Sequence, residues 1–203
     1  MWSAALATFL GLWGTFGKMA WDWWKKPKLS IDTSGFRRAS GLVGNRWHFR
    51  LPVMNAGGKK AATKSEIFLE AIEAKNLGGE KKDYPYFPMR MQWCHGVGPV
   101  CDRIAGGASN LFDLGVLSFV VDAETGFLEA VTTDFDKISP AALELATAVS
   151  PSDGPVLLPV GSYALHFLIV CDGAEYRQKI TLTVRHREYH EGTRPQDFIE
   201  VEG

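Results

Sequence analysis

Two cysteines and the histidines come closest to the pattern of a metal site. Cys94 and His95 precede Cys101, and His48 or His166 would have to complete the tetrahedral coordination of a zinc ion. Six residues lie between the two cysteines, whereas zinc knuckles place roughly two to four there, and no second close pair follows. We therefore expect neither a metal nor another cofactor.

Covalent catalysis needs a nucleophile, a base and a group that orients the base. Cys94 and His95 are neighbours in the chain, so in a strand their side chains point to opposite faces of the sheet. The chain has no Gly-x-Ser-x-Gly sequence, and its glycine-rich stretches at 96–98 and 106–110 lack the Gly-Lys-Ser/Thr of a phosphate loop. The sequence predicts a protein that is not an enzyme. An enzyme with a cryptic site is the last of three hypotheses.

Basic residues are concentrated in the first third of the chain. The formal net charge is −1, yet residues 1–64 hold eleven lysines and arginines against two aspartates. A basic segment beside an apolar one indicates an anionic surface, either phospholipid or nucleic acid. Trp47, His48, Tyr84 and Tyr86 would stack on a nucleotide whose phosphates meet the basic side chains, whereas double-stranded nucleic acid is not expected. The candidate ligand-binding residues are Arg37, Arg38, Arg46, Arg50, Lys59 and Lys60.

The first 24 residues form an apolar segment that is interrupted only by Lys18 and Asp22. As a helix, Trp2–Trp24 would be about 33 Å long, close to the thickness of a bilayer core. Tryptophan suits both membrane interfaces, and the basic residues that follow place their side of the helix in the cytoplasm. An interfacial helix and a helix packed on protein are the alternatives. The predicted membrane-interface residues are Trp2, Trp13, Trp21, Trp23, Trp24, Lys25, Lys26 and Lys28.

Small residues recur at every fourth position of the same segment. Such a stripe lets two helices approach closely in lipid, so it predicts a homo-oligomer. The two internal charges, Lys18 and Asp22, also favour several helices that shield one another. The helix–helix contact residues are Ser3, Ala7, Gly11 and Thr15.

The rest of the chain consists of short alternating runs divided by turns, which predicts an all-β fold. Glu66–Ala74 has a helical composition, but the preceding turn favours a strand. Pro140 followed by Ala141–Ala148 predicts one helix. Three cysteines without a disulfide-rich spacing indicate buried or free thiols in a reducing compartment. The predicted strands are Lys28–Thr33, Arg46–Asn55, Glu66–Ala74, Pro85–Trp93, Leu111–Val121, Gly126–Val131, Val156–Val160, Ser162–Cys171 and Tyr176–Arg185.

Two structural motifs resemble those of bacterial immunoglobulin-like sandwiches of the CARDB kind. One is Val53-Met54-Asn55-Ala56-Gly57 followed by Ala61-Ala62, which is similar to a turn between early strands. The other is Pro159-x-Gly161-x-Tyr163-x-Leu165, which is similar to the entry of a late strand. The resemblance implies small single-pass membrane proteins with an antiparallel Ig-like β-sandwich after one N-terminal transmembrane helix. It implies a fold and no catalytic residues.

These patterns divide the chain into a membrane helix with its basic juxtamembrane segment (1–27), a sandwich (28–186) and a polar tail (187–203). We expect a loose tail, unless Phe198, Ile199 and Val201 attach it to the sandwich. The first hypothesis is a membrane-anchored binding module at the cytoplasmic face of a bacterial inner membrane, with a protein or small ligand as partner. The second is a nucleotide-sensing effector of antiviral defence whose helices assemble to disrupt the membrane.

Overall fold

The computed structural model describes residues 14–36, 41–43, 46–75, 80–82, 88–94, 98–121, 128–130, 142–148, 154–172, 174–185 and 195–203. It contains a helix α1 over residues 14–24, a 3-10 turn at Thr33–Gly35 and a short helix α2 at Pro195–Phe198. The strands, in chain order, are β1 (Leu29–Ile31), β2 (Gly41–Val43), β3 (Arg46–Asn55), β4 (Ala62–Ala74), β5 (Glu80–Lys82), β6 (Met89–Arg90), β7 (Gln92–Trp93), β8 (Cys101–Ile104), β9 (Ser109–Val121), β10 (Leu128–Ala130), β11 (Leu143–Leu145), β12 (Leu157–Leu158), β13 (Gly161–Cys171), β14 (Ala174–Val184) and β15 (Ile199–Glu202).

These strands form two antiparallel sheets, which confirms the predicted all-β sandwich. Sheet 1 has the order β1-β3-β9-β11-β12, with β2 beside β3 and with β7 and β10 beside β9. Sheet 2 has the order β15-β14-β13-β4-β5, with β6 and β8 beside β4. The chain passes from sheet 2 to sheet 1 between β6 and β7.

Buried and half-buried residues alternate along the long strands, so each sheet turns one face inward. The two inward faces form one hydrophobic core between the sheets. Phe112 of β9 and Phe167 of β13 meet edge to face across it, with ring centroids 5.7 Å apart. Trp93 of sheet 1 donates its indole N–H to the carbonyl of Ser65 in sheet 2 at 3.1 Å. These contacts hold the two sheets face to face.

The predicted helix at Ala141–Ala148 is wrong, because its central residues form β11. Leu143 and Leu145 are buried, and the strand pairs with β9 and β12. Gly115 of β9 permits this close approach, since a Cβ there would lie 2.5 Å from the Glu144 carbonyl oxygen. Pairing with a glycine on a neighbouring strand has overridden the helical propensity of alanine, leucine and glutamate.

Other strand predictions agree more closely with the structure. β3 has the predicted bounds, and the strand at Glu66–Ala74 is confirmed within β4. The hairpin predicted at Asp172-Gly173 joins β13 to β14, where Cys171 pairs with Ala174. A loose tail was expected after residue 186, with attachment through Phe198, Ile199 and Val201 as the alternative. The alternative holds at the C-terminus, where Phe198 and Ile199 are buried and β15 extends sheet 2.

Candidate functional site

The end of α1 is fastened to the turn that joins β3 to β4. The last carbonyls of a helix lack partners within it. Here the Lys60 N–H donates to the Lys25 carbonyl at 2.7 Å, and the Lys59 ammonium donates to the Trp24 carbonyl. Lys60 also pairs with Asp22 at 3.3 Å. Positive groups at the negative end of the helix are electrostatically favourable, so the turn caps α1. We call residues 21–31, the residues 55–60 that join β3 to β4, and the side chains of Tyr176 and Gln178 that bond to them the junction.

Asn55 is the centre of the junction. Its side chain is fully buried, and its Oδ1 accepts from the Lys28 N–H at 3.1 Å. Its Nδ2 donates to the carbonyls of Lys60 at 2.7 Å and Ile104 at 3.1 Å. One amide thus connects the exit of the helix, the β3–β4 turn and the end of β8.

A second loop packs under the same turn and fixes its shape. Gly107 donates its N–H to the Asn55 carbonyl at 2.8 Å, and the Asn55 N–H donates to Ala108 at 2.9 Å. A Cβ at Gly106 would lie 2.1 Å from the Lys59 carbonyl oxygen, so only glycine fits there. The loop at Gly106–Ala108 therefore fixes the backbone of the turn that carries Lys59 and Lys60.

The chain from the exit of α1 to the end of β1 is attached to β14 of sheet 2. The Tyr176 hydroxyl donates to the Pro27 carbonyl, and burial raises the pKa of Tyr176. The Gln178 amide makes two bonds with Ile31, accepting from its N–H at 2.7 Å and donating to its carbonyl at 2.9 Å. The helix exit is thus bonded to both sheets.

The exposed surface of α1 is apolar and aromatic. Phe16, Met19, Trp21, Trp23 and Trp24 expose between 55% and 72% of their surface. The rings of Trp21 and Trp24 are 5.8 Å apart. Five large apolar side chains thus lie exposed within nine residues, and exposed apolar surface of this kind marks a contact with a membrane or a protein.

Lysines border this aromatic surface. The Lys25 ammonium lies 4.3 Å from the Trp21 ring centroid, and the Lys59 ammonium lies 5.0 Å from that of Trp24. Such cation–π contacts join the charged and aromatic groups into one surface. The basic collar, as we name it, consists of Lys25, Lys26, Lys28, Lys59 and Lys60.

The candidate ligand-binding residues fall in separate places. Arg50 lies midway along β3 and pairs with Asp113 at 3.1 Å, whereas Lys59 and Lys60 belong to the collar. The end of β3 is about 16 Å from Arg50 at the rise of a strand. Arg46 begins β3, but its side chain, like Arg37 and Arg38, lies outside the described residues. The described members do not form one patch.

Only some of the predicted membrane-interface and helix-contact residues lie in the part of the chain that the structure describes. The structure brings Trp21, Trp23 and Trp24 together with Lys25, Lys26 and Lys28 at the junction, and Thr15 lies on the exposed surface of α1. The predicted residues outside the described part are Trp2, Ser3, Ala7, Gly11 and Trp13. No helix within the described ranges is both long enough and apolar enough to cross a membrane.

The three cysteines are free and buried. The Cys94 thiol donates to Asp113 at 3.2 Å, and burial together with this carboxylate raises its pKa to about 12. Burial raises the pKa of Cys171 to about 11. Cys101 accepts from the Asn110 amide at 2.9 Å. Among the described residues, no three His, Cys, Asp or Glu side chains are grouped to hold a metal ion, and His95 lies outside them.

A second polar cluster covers the outer face of sheet 2. Arg177 pairs with Glu70 at 3.3 Å and with Glu175 at 3.2 Å. The Glu73 carboxylate accepts from Lys179 at 2.9 Å and lies 3.2 Å from His166 Nε2. The lysine bond and then the histidine lower the pKa of Glu73. We call these six residues the ion-pair ladder.

Sequence reasoning missed the long-range contacts of the junction. Asn55 was interpreted only as a turn former, and Tyr176 and Gln178 were assigned only to a strand. The one available signal was an asparagine at the end of an alternating strand, directly before a glycine-containing turn. Comparisons with protein-family models, with curated proteins and with solved structures find no match.

Proposed function

We propose that this chain is a membrane-anchored, non-enzymatic binding module at the cytoplasmic face of a bacterial inner membrane. One observation carries the proposal: the exposed aromatic surface of α1 adjoins the basic collar, and both are bonded to the sandwich. Aromatic rings next to lysines match the boundary between acyl chains and headgroups. The sandwich would then begin directly at the membrane surface.

The Asp22–Lys60 pair defines where the membrane would end. A carboxylate is costly in hydrocarbon, so a residue paired with the sandwich belongs at the water side of the boundary. A helix from Trp2 to Trp21 would be about 29 Å long, which matches a core of about 30 Å. Lys18 lies one turn before Asp22, from where its side chain would reach the headgroups. The lysines after the helix favour a cytoplasmic sandwich.

We propose further that the sandwich is of the immunoglobulin-like class. Sheet 1 places β1, β3 and β9 side by side, as strands A, B and E lie in that class, and sheet 2 places β4, β13 and β14 as C, F and G. A departure is β11, which occupies the edge where strand D would lie but comes after β9 in the chain. In sandwiches of that class the loops carry the binding residues, and we propose a protein or small ligand as their partner here.

The properties of Cys94 support a role other than catalysis. Nucleophilic cysteines have lowered pKa values and are partly exposed. Cys94 is buried, and its pKa is raised to about 12, so it stays a protonated thiol at neutral pH.

Self-association through the stripe Ser3, Ala7, Gly11 and Thr15 completes the proposal. Gly11→Leu would block close approach of two helices. We expect it to reduce cross-linked dimers of the full chain in membranes, whereas Ala5→Leu, a small-to-large change on the opposite side of such a helix, should leave them unchanged.

Membrane anchoring is tested by alkaline carbonate extraction of cell membranes that contain the full chain. The wild-type chain should remain in the pellet. Phe16→Glu with Met19→Glu puts two charges on the exposed surface of α1, and we expect it to release most of the protein. The matched control, Met54→Glu with Val160→Glu, adds the same charge at exposed apolar residues of the sandwich and should stay in the pellet. A wild-type chain that is extracted would contradict the proposal.

A further inference from the structure

The β3–β4 turn adds positive charge from the sandwich at the level of the tryptophans. Lys60 exposes 58% of its side chain although it pairs with Asp22. Lys59 reaches over the Trp24 ring. The neighbouring Lys26 and Lys28 are also exposed. Five ammonium groups and one carboxylate thus lie around the end of α1.

We propose that the turn of residues 56–60 is a second membrane contact, at which Lys59 and Lys60 bind anionic phospholipid headgroups and orient the sandwich. The inference rests on the proposed membrane anchoring and adds a partner for the sandwich itself. Charge complementarity supports it, because the collar carries an excess of positive charge where phosphates of the headgroups would lie.

The surroundings favour a lipid over a soluble phosphate compound. Trp23 and Trp24 are more than half exposed next to these lysines. A lipid brings acyl chains to the rings and a phosphate to the ammonium groups, whereas a free phosphate leaves the rings in water. Only a lipid would therefore contact both the tryptophan rings and the lysine ammonium groups.

The turn is prearranged for this contact. Asn55 and the close approach of Gly106 hold its backbone, so the two lysines need little ordering when they bind. The capping bonds to Trp24 and Lys25 fix the turn relative to α1. A headgroup bound here would therefore fix the orientation of the whole sandwich relative to the membrane.

The test uses the full chain reconstituted in phosphatidylcholine vesicles that contain spin-labelled phosphatidylglycerol or spin-labelled phosphatidylcholine. The ratio of the two protein-associated fractions gives the preference for the anionic headgroup. One lysine near an anionic surface changes affinity roughly fivefold. We expect Lys59→Gln with Lys60→Gln to lower the preference by about that factor or more. The matched control is Lys75→Gln with Lys179→Gln, which removes the lysine directly after β4 and one lysine of β14 and should leave the preference unchanged.

Asp22→Asn separates the charge of the collar from the ion pair that joins the turn to α1, because it breaks the Asp22–Lys60 pair but makes the collar more positive. We expect its preference to equal or exceed that of the wild type. A fall as large as that of the double lysine variant would overturn the inference, since loss of the ion pair between α1 and the turn would then explain both. An unchanged preference in the double variant would overturn it as well.

A short single-stranded oligonucleotide tests the competing partner on the same samples. It should leave the lipid preference unchanged. If it binds the wild type, binds the double lysine variant more weakly and abolishes the lipid preference, the turn is a nucleic-acid site and the inference is wrong. Failure of the wild-type chain to insert into neutral vesicles would instead contradict the proposed anchoring, which keeps the two failures distinct.

Discussion

The junction and the ion-pair ladder are both polar, but their side chains have different kinds of partner. At the junction, Asn55 and Gln178 bond to backbone groups of distant segments. On the ladder, Arg177 and Lys179 of β14 bond in water to the carboxylates of Glu70 and Glu73 on β4, across the intervening β13. A buried amide leaves backbone groups without partners when it is lost, whereas exposed ions return to water. The junction should therefore determine how the helix meets the sandwich, and the ladder should contribute little.

The largest effect is expected from Asn55→Ala. It removes three hydrogen bonds and leaves buried backbone groups of Lys28, Lys60 and Ile104 without this partner, so we expect a loss of about 3 kcal/mol in the free energy of unfolding. Chemical denaturation of the full chain in detergent measures it. Met54→Ala, at an exposed neighbour on the same strand, should cost less than about 0.5 kcal/mol. Equal losses for the two variants would refute the special role of Asn55.

A smaller effect is expected from Gln178→Ala. Two bonds to the backbone of Ile31 are lost, but the site is only partly buried, so water replaces them in part. We expect a loss of about 1.5 kcal/mol, and faster hydrogen exchange at Ile31. Unchanged exchange at that amide would show that the bonds do not hold β1.

The smallest effect is expected on the ladder, from Lys179→Met. The pKa of Glu73 is lowered by Lys179 and His166, so this carboxylate stabilises the fold above its ordinary pKa of 4.5. The contribution is lost as the pH falls through the lowered pKa. The variant should raise the pKa of Glu73, seen by NMR titration, and its small stability deficit at neutral pH should vanish in acid. A deficit that persists in acid would point to lost packing instead of charge.

The sequence predicts those parts of the fold that depend on local pattern. The alternation of Trp47, Phe49, Leu51 and Val53 is local, so β3 was predicted with its observed bounds. β11 was mistaken for a helix because the deciding residue, Gly115, lies on another strand. The pairing partner of a short segment is not encoded in that segment.

Some residues of the candidate site could likewise be predicted from local sequence, and others could not. The tryptophans and lysines that follow α1 are visible in the sequence because they are consecutive. Lys59 and Lys60 were assigned to a ligand patch with Arg50, since sequence distance does not reveal that the turn folds back onto α1. Asn55 carries contacts to residues 28, 60 and 104, and no local pattern specifies those three partners.

The central claim, that the junction lies at a membrane surface, is tested most directly by site-directed spin labelling. Gly57, in the β3–β4 turn, has open space for a side chain. Val160 directly precedes β13, and the other end of that strand lies about 33 Å away. At that other end Asp172 accepts from the Thr63 N–H at 3.1 Å, close to the β3–β4 turn. A nitroxide is attached to Gly57→Cys or to Val160→Cys of the full chain in vesicles; the native thiols are buried. Nickel chelated on lipid headgroups should relax the label at position 57 strongly and the label at position 160 weakly. Equal relaxation, or the reverse order, would contradict the account.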